Sequence, residues 1–204
     1  KYKKRSDFFL KLIFNNQSDE GWFEEYGGAD IGYETHTIFY LSYIWKKNND
    51  NFLLNRLKLS INFLSHFIHF DGSLGGEYGS RNTRFYMPAG FEILSSKLPI
   101  ASTIAKFMKN SIKNGNCVSL EQMDPQNIFP LVNNYCFAFK YITKNSKEKV
   151  DLPFNKENTK YFKKSGLLTI TNDIYQCLIG LSKGGTIMVI PKNLKKNYRF
   201  EDAG

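Results

Sequence analysis

Apolar residues recur at intervals of three and four through most of the first 144 positions, which is the period of an amphipathic helix. The pattern predicts helices over about 6–16, 33–47 and 51–69, and another that begins at Pro99 and ends before Gly115. We expect a further helix over about 130–144, opened by Pro130. A polar turn between the second and third helices ends in Asp50, a residue type that caps helix N-termini.

The pattern changes to short strand-like runs in the last quarter of the chain. Strands are predicted over 167–171, 175–180 and 186–190, with turns at Asn172-Asp173 and Gly184-Gly185. Residues 145–160 are polar and surround Pro153, which is typical of a linker. The sequence therefore predicts an α+β chain, with helical hairpins in residues 1–144, a linker over 145–160 and an antiparallel meander within 161–204.

Two segments of the helical part resemble each other. Glu20-Gly21-Trp22-Phe23-Glu24-Glu25-Tyr26-Gly27 is echoed 51 residues later by Asp71-Gly72-Ser73-Leu74-Gly75-Gly76-Glu77-Tyr78-Gly79, which is one residue longer. Two amphipathic stretches joined by a polar turn lie between them, which indicates a repeated helical hairpin. Because a hairpin returns the chain to the end it left, we expect both glycine-rich loops to open on one face.

Composition narrows the kinds of partner. The chain of 204 residues carries a net charge of +9, and 16% of its residues are aromatic. A positive field favours anionic partners, and aromatic rings are common in carbohydrate clefts as well as in ordinary cores. We expect the three cysteines, which lack metal-ligand spacing, to be plain buried thiols: Cys117, Cys136 and Cys177. No apolar run reaches membrane-spanning length, so membrane insertion is not expected.

The candidate chemistry lies beside the two loops. Tyr33, His36 and Tyr40 share one helix face, and a Tyr with a His can move protons next to a substrate carboxylate. Arg81 and Arg84 follow the second loop and can clamp a carboxylate or sulfate. The alternative is that the tyrosines line the core, that His36 bonds a backbone group and that the arginines form structural ion pairs.

Two other hypotheses, a glycoside hydrolase site and a metal site, involve different residues. Paired carboxylates could hydrolyse a glycosidic bond, and four acids lie close together in the first loop and helix: Glu24, Glu25, Asp30 and Glu34. Their alternative role is to form a solvated loop and to cap the following helix, for which Asp30 is well placed. His66 and His69 are three residues apart, but no third ligand has suitable spacing, so no metal or other cofactor is expected.

The order of helical hairpins, loops, linker and meander resembles the toroid–sandwich junction of heparinase II/III-like polysaccharide lyases. The similar stretches are Glu20-Gly21-Trp22-Phe23-Glu24-Glu25 followed by Tyr33, Asp71-Gly72-Ser73-Leu74, and Tyr161-Phe162-Lys163-Lys164-Ser165-Gly166-Leu167. The resemblance implies part of an α/α toroid over 1–144, joined through the linker to the start of an antiparallel β-sandwich. The family's Asn or His on an earlier helix and its sandwich His have no counterpart, and the second loop departs from the family's Gly-Asp pattern. We therefore expect the chain to be a fragment that works with the remainder of a longer protein.

The resemblance implies β-elimination on a uronic-acid-containing glycan, with Tyr33 in the place of the family's catalytic Tyr and an acidic polysaccharide, not nucleic acid, as partner. His36, on the same helix face as Tyr33, is expected to be the second catalytic residue. The residues expected to bind substrate are Trp22, Glu24, Glu25, Tyr26, Tyr78, Arg81, Asn82 and Arg84. A role in capsule or surface polysaccharide metabolism and a periplasmic or cell-surface location would follow, although no signal peptide is present in these residues. A uronyl C5-epimerase, a glycoside hydrolase of the same toroid type, and a non-catalytic glycan-binding or biosynthesis protein remain as alternatives.

Overall fold

The computed structural model describes residues 2–142, 148, 150–194 and 198–202, without the side chain of Lys183. Six α-helices are present in this part of the chain. They are α1 (Tyr2–Asn15), α2 (Ile31–Asn48), α3 (Asn51–Ser65), α4 (Ala89–Leu94), α5 (Pro99–Lys113) and α6 (Pro125–Tyr141). A short hairpin of β1 (Glu24–Glu25) and β2 (Gly28–Ala29) precedes α2. None of the described helices is long and apolar enough to cross a membrane.

The helices form two layers of consecutive hairpins. Helices α2 and α3 pack together, as do α4 and α5. Neighbouring hairpins then pack side by side, with α2 against α4, α4 against α6, and α3 against α5. The predicted apolar stripes of the first hairpin lie in the core, since Ile38, Leu57 and Ile61 are completely buried. This arrangement confirms the predicted helical hairpins.

Local capping signals fix most helix starts. Asp50 caps α3 as predicted, by accepting hydrogen bonds from the backbone N–H groups of Phe52 and Leu53 at 2.8 and 3.3 Å. Pro99 opens α5 as predicted. The predicted start of α6 at Pro130 is wrong, because Asp124 caps the helix and Pro125 occupies its first turn. Pro130 lies inside α6, where it removes one backbone hydrogen bond without ending the helix.

A five-stranded antiparallel sheet follows the helices. Its strands are β3 (Asn158–Phe162), β4 (Leu167–Thr171), β5 (Tyr175–Gly180), β6 (Thr186–Pro191) and β7 (Phe200–Asp202), paired in chain order. The three predicted strands are confirmed as β4, β5 and β6, whereas the edge strands β3 and β7 were not predicted. Strand β3 begins inside the predicted linker 145–160, of which residues 145–147 and 149 lie outside the described residues. The chain is thus α+β as predicted.

The helices and the sheet share one hydrophobic core. The Phe162 ring of β3 meets the Phe63 and Phe67 rings from α3 and its C-terminal turn, at centroid distances of 4.8 and 5.5 Å. Leu178 and Met188 of the central strands are completely buried in the same cluster. Cys117 and Cys177 are buried thiols, but the expectation of a buried thiol is wrong for Cys136, which is exposed on α6.

The sequence repeat is also a structural repeat over its first half. Ser18 N–H donates to the Trp22 carbonyl at 2.8 Å, and 51 residues later His69 N–H donates to the Ser73 carbonyl at 3.3 Å. Gly21 and Gly72 both have positive φ, and their carbonyls accept from serine hydroxyls that are again 51 residues apart, Ser60 and Ser111. Each loop is therefore anchored to the second helix of its hairpin by the same contacts.

Candidate functional site

The two glycine-rich loops meet beside the N-terminus of α2. Ser80 N–H donates to the Ala29 carbonyl at 2.9 Å, and the Ser80 hydroxyl donates to the Glu25 carbonyl at 2.7 Å. A glycine is required at position 32 because a Cβ there would lie 2.4 Å from Thr83 Cγ2. The prediction that both loops open on one face is confirmed at this contact.

Asp30 joins the two loops and the helix. Its carboxylate accepts from the backbone N–H of Tyr33 at 2.9 Å, which caps α2, and from the N–H groups of Arg81 and Thr83 at 3.1 and 3.3 Å. The side chain is 2% exposed. Burial raises the pKa of Asp30, while the three N–H groups act in the opposite direction. One buried carboxyl group therefore positions the first turn of α2 against the arginine-bearing segment.

A cavity of about 370 Å³, which we call the arginine cavity, opens at this junction. Tyr33, Arg81, Asn82 and Arg84 line it, together with Phe85 and the segment that leads into α6. The Tyr33 ring packs edge-on against Phe85 at 5.3 Å between centroids. The cavity combines one phenol with two guanidinium groups, and such a set can hold an anionic substrate next to a proton donor.

The arginines are held in different ways. The Arg81 guanidinium lies over the Tyr26 ring at 4.2 Å, and Tyr26 is itself 62% exposed. Arg84 donates from Nη2 to Glu201 Oε2 of strand β7 at 2.7 Å and from Nε to Asn82 Oδ1 at 2.8 Å. Glu201 also accepts from the Glu77 backbone N–H at 2.8 Å. Arg84 is therefore fixed by the sheet, whereas Arg81 remains available at the rim.

The electrostatic surroundings keep the Tyr33 phenol protonated. Partial burial raises the pKa of Tyr33, and the positive charge of Arg81 acts in the opposite direction. A phenol whose pKa is raised stays neutral at physiological pH and can donate its proton. Tyr33 is therefore protonated near neutral pH, as a tyrosine with an ordinary pKa also is, and it can serve as a proton donor.

The other predicted catalytic residue lies apart from this cavity. His36 is one turn further along α2, and its ring packs on Tyr40 at 4.8 Å between centroids. It does not line the arginine cavity. Burial lowers the pKa of His36, so the imidazole is uncharged near neutral pH. His36 lies outside the cavity that Tyr33 and Arg81 share, and its expected catalytic role stays a prediction.

Five of the expected substrate-binding residues do not line the arginine cavity: Trp22, Glu24, Glu25, Tyr26 and Tyr78, although Tyr26 contacts Arg81 at its rim. The Trp22 indole donates to Glu20 Oε2 at 3.0 Å, and Glu20 accepts from the backbone of Lys164 in the β3–β4 turn at 2.9 Å, so this part of the loop docks on the sheet. Glu24 and Glu25 line a neighbouring cavity instead. Tyr78 is 1% exposed, which corrects the expectation that its ring faces a substrate.

Tyr78 belongs to a buried hydrogen-bond chain that sequence reasoning missed. The Ser73 hydroxyl lies 2.6 Å from Asp71 Oδ1, to which it must donate, because an ionised carboxylate only accepts. The Ser73 oxygen therefore accepts from His69 Nδ1–H at 2.8 Å, and His69 Nε2 accepts from the Tyr78 hydroxyl at 2.8 Å. The sequence repeat placed Asp71, Ser73 and Tyr78 in one loop, but only the fold shows that His69 connects them.

The two histidines of this region do not form a metal site. His66 faces the sheet, where Nδ1 lies 3.3 Å from Asn158 Nδ2 and the ring packs on Phe162. His69 faces Tyr78 instead. Within the described residues, no group of three His, Cys, Asp or Glu side chains is arranged to hold a metal ion.

The buried histidine makes a prediction for the pH dependence of stability. Burial lowers the pKa of His69 from 6.5 to about 4, with Asp71 acting in the opposite direction. Because the unfolded chain binds the proton more readily, the His69 contribution to stability is lost as pH falls from about 6.5 towards 4, by at most about 1.4 kcal/mol per pH unit. Urea unfolding of wild type and His69→Gln should give a stability difference that shrinks over this window. A difference that is constant with pH would contradict the assignment, since all other groups titrate in both proteins.

Comparison with protein-family models, with curated proteins and with solved structures found no significant match to this chain. Function is therefore inferred from the arginine cavity and its surroundings.

Proposed function

We propose that the chain is part of a polysaccharide lyase-like protein that acts by β-elimination on an acidic, uronic-acid-containing glycan. The observation that carries this proposal is that Tyr33 and Arg81 line the same cavity, although they are 48 positions apart in the sequence. In the proposal, the hairpins belong to an α/α toroid of the heparinase II/III-like type and the meander begins a β-sandwich.

The cavity supplies two of the groups that an elimination requires. A base removes the proton at C5 of the uronyl residue, a C4–C5 double bond forms, and the glycosidic C4–O bond breaks as its oxygen is protonated. Arg81 and Asn82 would bind the carboxylate and so acidify the C5 proton. Tyr33, with its raised pKa, would protonate the departing oxygen.

Among its described lining residues, the arginine cavity offers only a weak base. Asp124 is the one carboxylate among the residues lining it, and hydrogen bonds from Asn127 lower the pKa of Asp124, which makes it a weak base. The hydrolase alternative has less support, because Asp30 and Glu34 are both buried and Asp30 is fully engaged by backbone N–H groups. We therefore assign to this chain the acid and the carboxylate-binding groups of the reaction.

The lack of a strong base favours a second candidate function. A protein that binds an acidic glycan without cleaving it would need the arginines, the exposed Tyr26 ring and the open cavity, but no base. The Arg81–Tyr26 pair forms a flat cationic surface of the kind that holds a negatively charged sugar.

A glycan panel separates the two candidates. The chain, and any longer gene product that contains it, would be incubated with hyaluronan, chondroitin sulfate, heparan sulfate, alginate and pectate, with neutral dextran as the control. A rise in ultraviolet absorbance from unsaturated uronides supports the lyase. Saturable binding that is lost in Arg81→Gln, without a rise in absorbance, supports the binding protein. Neither absorbance nor binding to any acidic glycan would overturn both.

A further inference from the structure

A second cavity, of about 270 Å³, lies between α1 and α2. Tyr33 lines this cavity as well as the arginine cavity. Its apolar wall is built from Ile13, Phe23, Leu41 and Ile44. Because Glu24, Glu25 and Glu34 also line it, we call it the glutamate cavity.

The carboxyl groups that line the glutamate cavity are acidic, whereas the chain as a whole carries a net positive charge. The protein carries a net charge of +9, yet none of the residues that line this cavity is Lys, Arg or His. Three carboxyl groups lie beside this apolar wall, and a positive charge placed next to the most buried of them, Glu34, would be favoured because solvent is excluded there.

Glu34 is the most buried of these carboxyl groups, and only one of its two oxygens accepts a hydrogen bond of normal geometry from the described residues. It is 2% exposed, and its Oε2 accepts from the Phe23 backbone N–H at 3.0 Å. Its buried Oε1 has no hydrogen-bond partner within the part of the chain that the structure describes. A buried carboxyl oxygen without a partner costs free energy that a bound ligand can recover.

The groups around Glu34 do not offset the cost of burying its ionised form. Burial raises the pKa of Glu34 to about 8, and the charge of Asp30 adds to this, while the Phe23 N–H and the Ser60 hydroxyl of α3 act in the opposite direction. The lining side chains from α1 and from the residue that follows it are uncharged: Ile13 and Asn16. Within the described residues, no Lys, Arg or His side chain lines this cavity, and the raised pKa keeps the Glu34 carboxyl group protonated near neutral pH.

A ligand for this cavity has to carry a positive charge on an apolar body. A metal ion does not fit, because the described side chains do not converge as a metal site. An organic ammonium group can pair with Glu34 while its hydrocarbon part contacts Leu41 and Ile44. Three aromatic residues, Phe23, Tyr33 and Tyr40, also line the cavity, and aromatic rings attract cations that lie over their faces.

We propose that the glutamate cavity is a binding site for a primary ammonium ligand with an apolar body, and that Glu34 is its counter-ion. This site rests on the cavity and on Glu34, independently of the function proposed above. Binding ionises Glu34, so close to one proton is released per ligand at neutral pH. The affinity rises with pH up to about 8, by close to tenfold per unit between pH 6 and 7, while the amine stays protonated.

The probe is cyclohexylammonium, and cyclohexanol serves as a neutral ligand of the same shape. Binding would be followed by calorimetry in two buffers of different ionisation enthalpy and by NMR shifts of α2. We expect millimolar binding of the amine, release of about one proton at pH 7 and at least tenfold weaker binding of the alcohol. Glu34→Gln should abolish the proton release and the pH dependence.

Glu92→Gln is the matched control. Glu92 is 5% exposed on α4, and its pKa is also raised by burial, but it lies outside the glutamate cavity. This variant should bind and release protons as wild type does. Equal affinity for amine and alcohol, or proton release that persists in Glu34→Gln, would overturn the proposal. If Glu34→Gln does not fold, the comparison of amine and alcohol in wild type across pH decides the question.

Discussion

Tyr33→Phe is expected to lower the rate of uronide formation by about 10²- to 10⁴-fold on any glycan that the protein cleaves. The change removes the hydroxyl that would protonate the departing oxygen. It keeps the ring, so the edge-on contact with Phe85 at 5.3 Å and the cap of α2 remain. The effect should therefore appear in kcat, with little change in KM or in thermal stability. Initial rates from ultraviolet absorbance measure it.

Tyr40→Phe provides the matched control for this result. Tyr40 lies seven residues further along α2, is 50% exposed and does not line the arginine cavity. Its variant should retain wild-type turnover. Equal rates for Tyr33→Phe and Tyr40→Phe would remove Tyr33 from the reaction, while glycan binding through Arg81 could still be measured separately.

Asp30→Ala is expected to destabilise the fold by about 4 kcal/mol. The substitution leaves three backbone N–H groups without their acceptor, those of Tyr33, Arg81 and Thr83. It removes a helix cap and the contact between the two loops at the same time. Urea unfolding at neutral pH measures the loss, and glycan binding should weaken together with stability because Arg81 loses its support.

Asp50→Ala separates the capping effect from the joining of the loops. Asp50 caps α3 through two N–H groups, but it is exposed and contacts no second loop. Its removal should cost about 1 kcal/mol, the usual value for a helix cap. A similar cost for both variants would show that the loop contact through Asp30 contributes little.

The helical part of the fold could be predicted because its signals are local. Asp50 and Pro99 start their helices through contacts within three or four residues. The start of α6 is also marked by a local signal, because Asp124 caps the helix and Pro125 lies in its first turn. The prediction used Pro130, a residue that also suits a first turn but lies inside the helix. The edge strand β3 was missed because its central residues are all exposed and show no alternation between apolar and polar positions.

The sequence repeat predicted one feature of the site, the approach of the two loops, and no others. The hairpin argument brings the two loops together, and this was sufficient to place Tyr33 near Arg81. Pairing between Arg84 and Glu201 spans 117 residues and depends on how the sheet docks, for which no local pattern exists. The burial of Tyr78 was also missed, because its polar partner His69 precedes the loop and looked like a member of a histidine pair.

The ion pair between Glu201 of β7 and Arg84 also has a consequence for the order in which contacts form during synthesis. Domains fold from the N-terminus as they leave the ribosome, and the contacts of α2 with α3 and of α4 with α5 lie within the first 113 residues. Glu201 emerges long after these hairpins and Arg84 have been synthesised. The contacts within each hairpin can therefore form first, and Arg84 gains its partner Glu201 only after strand β7 has been made.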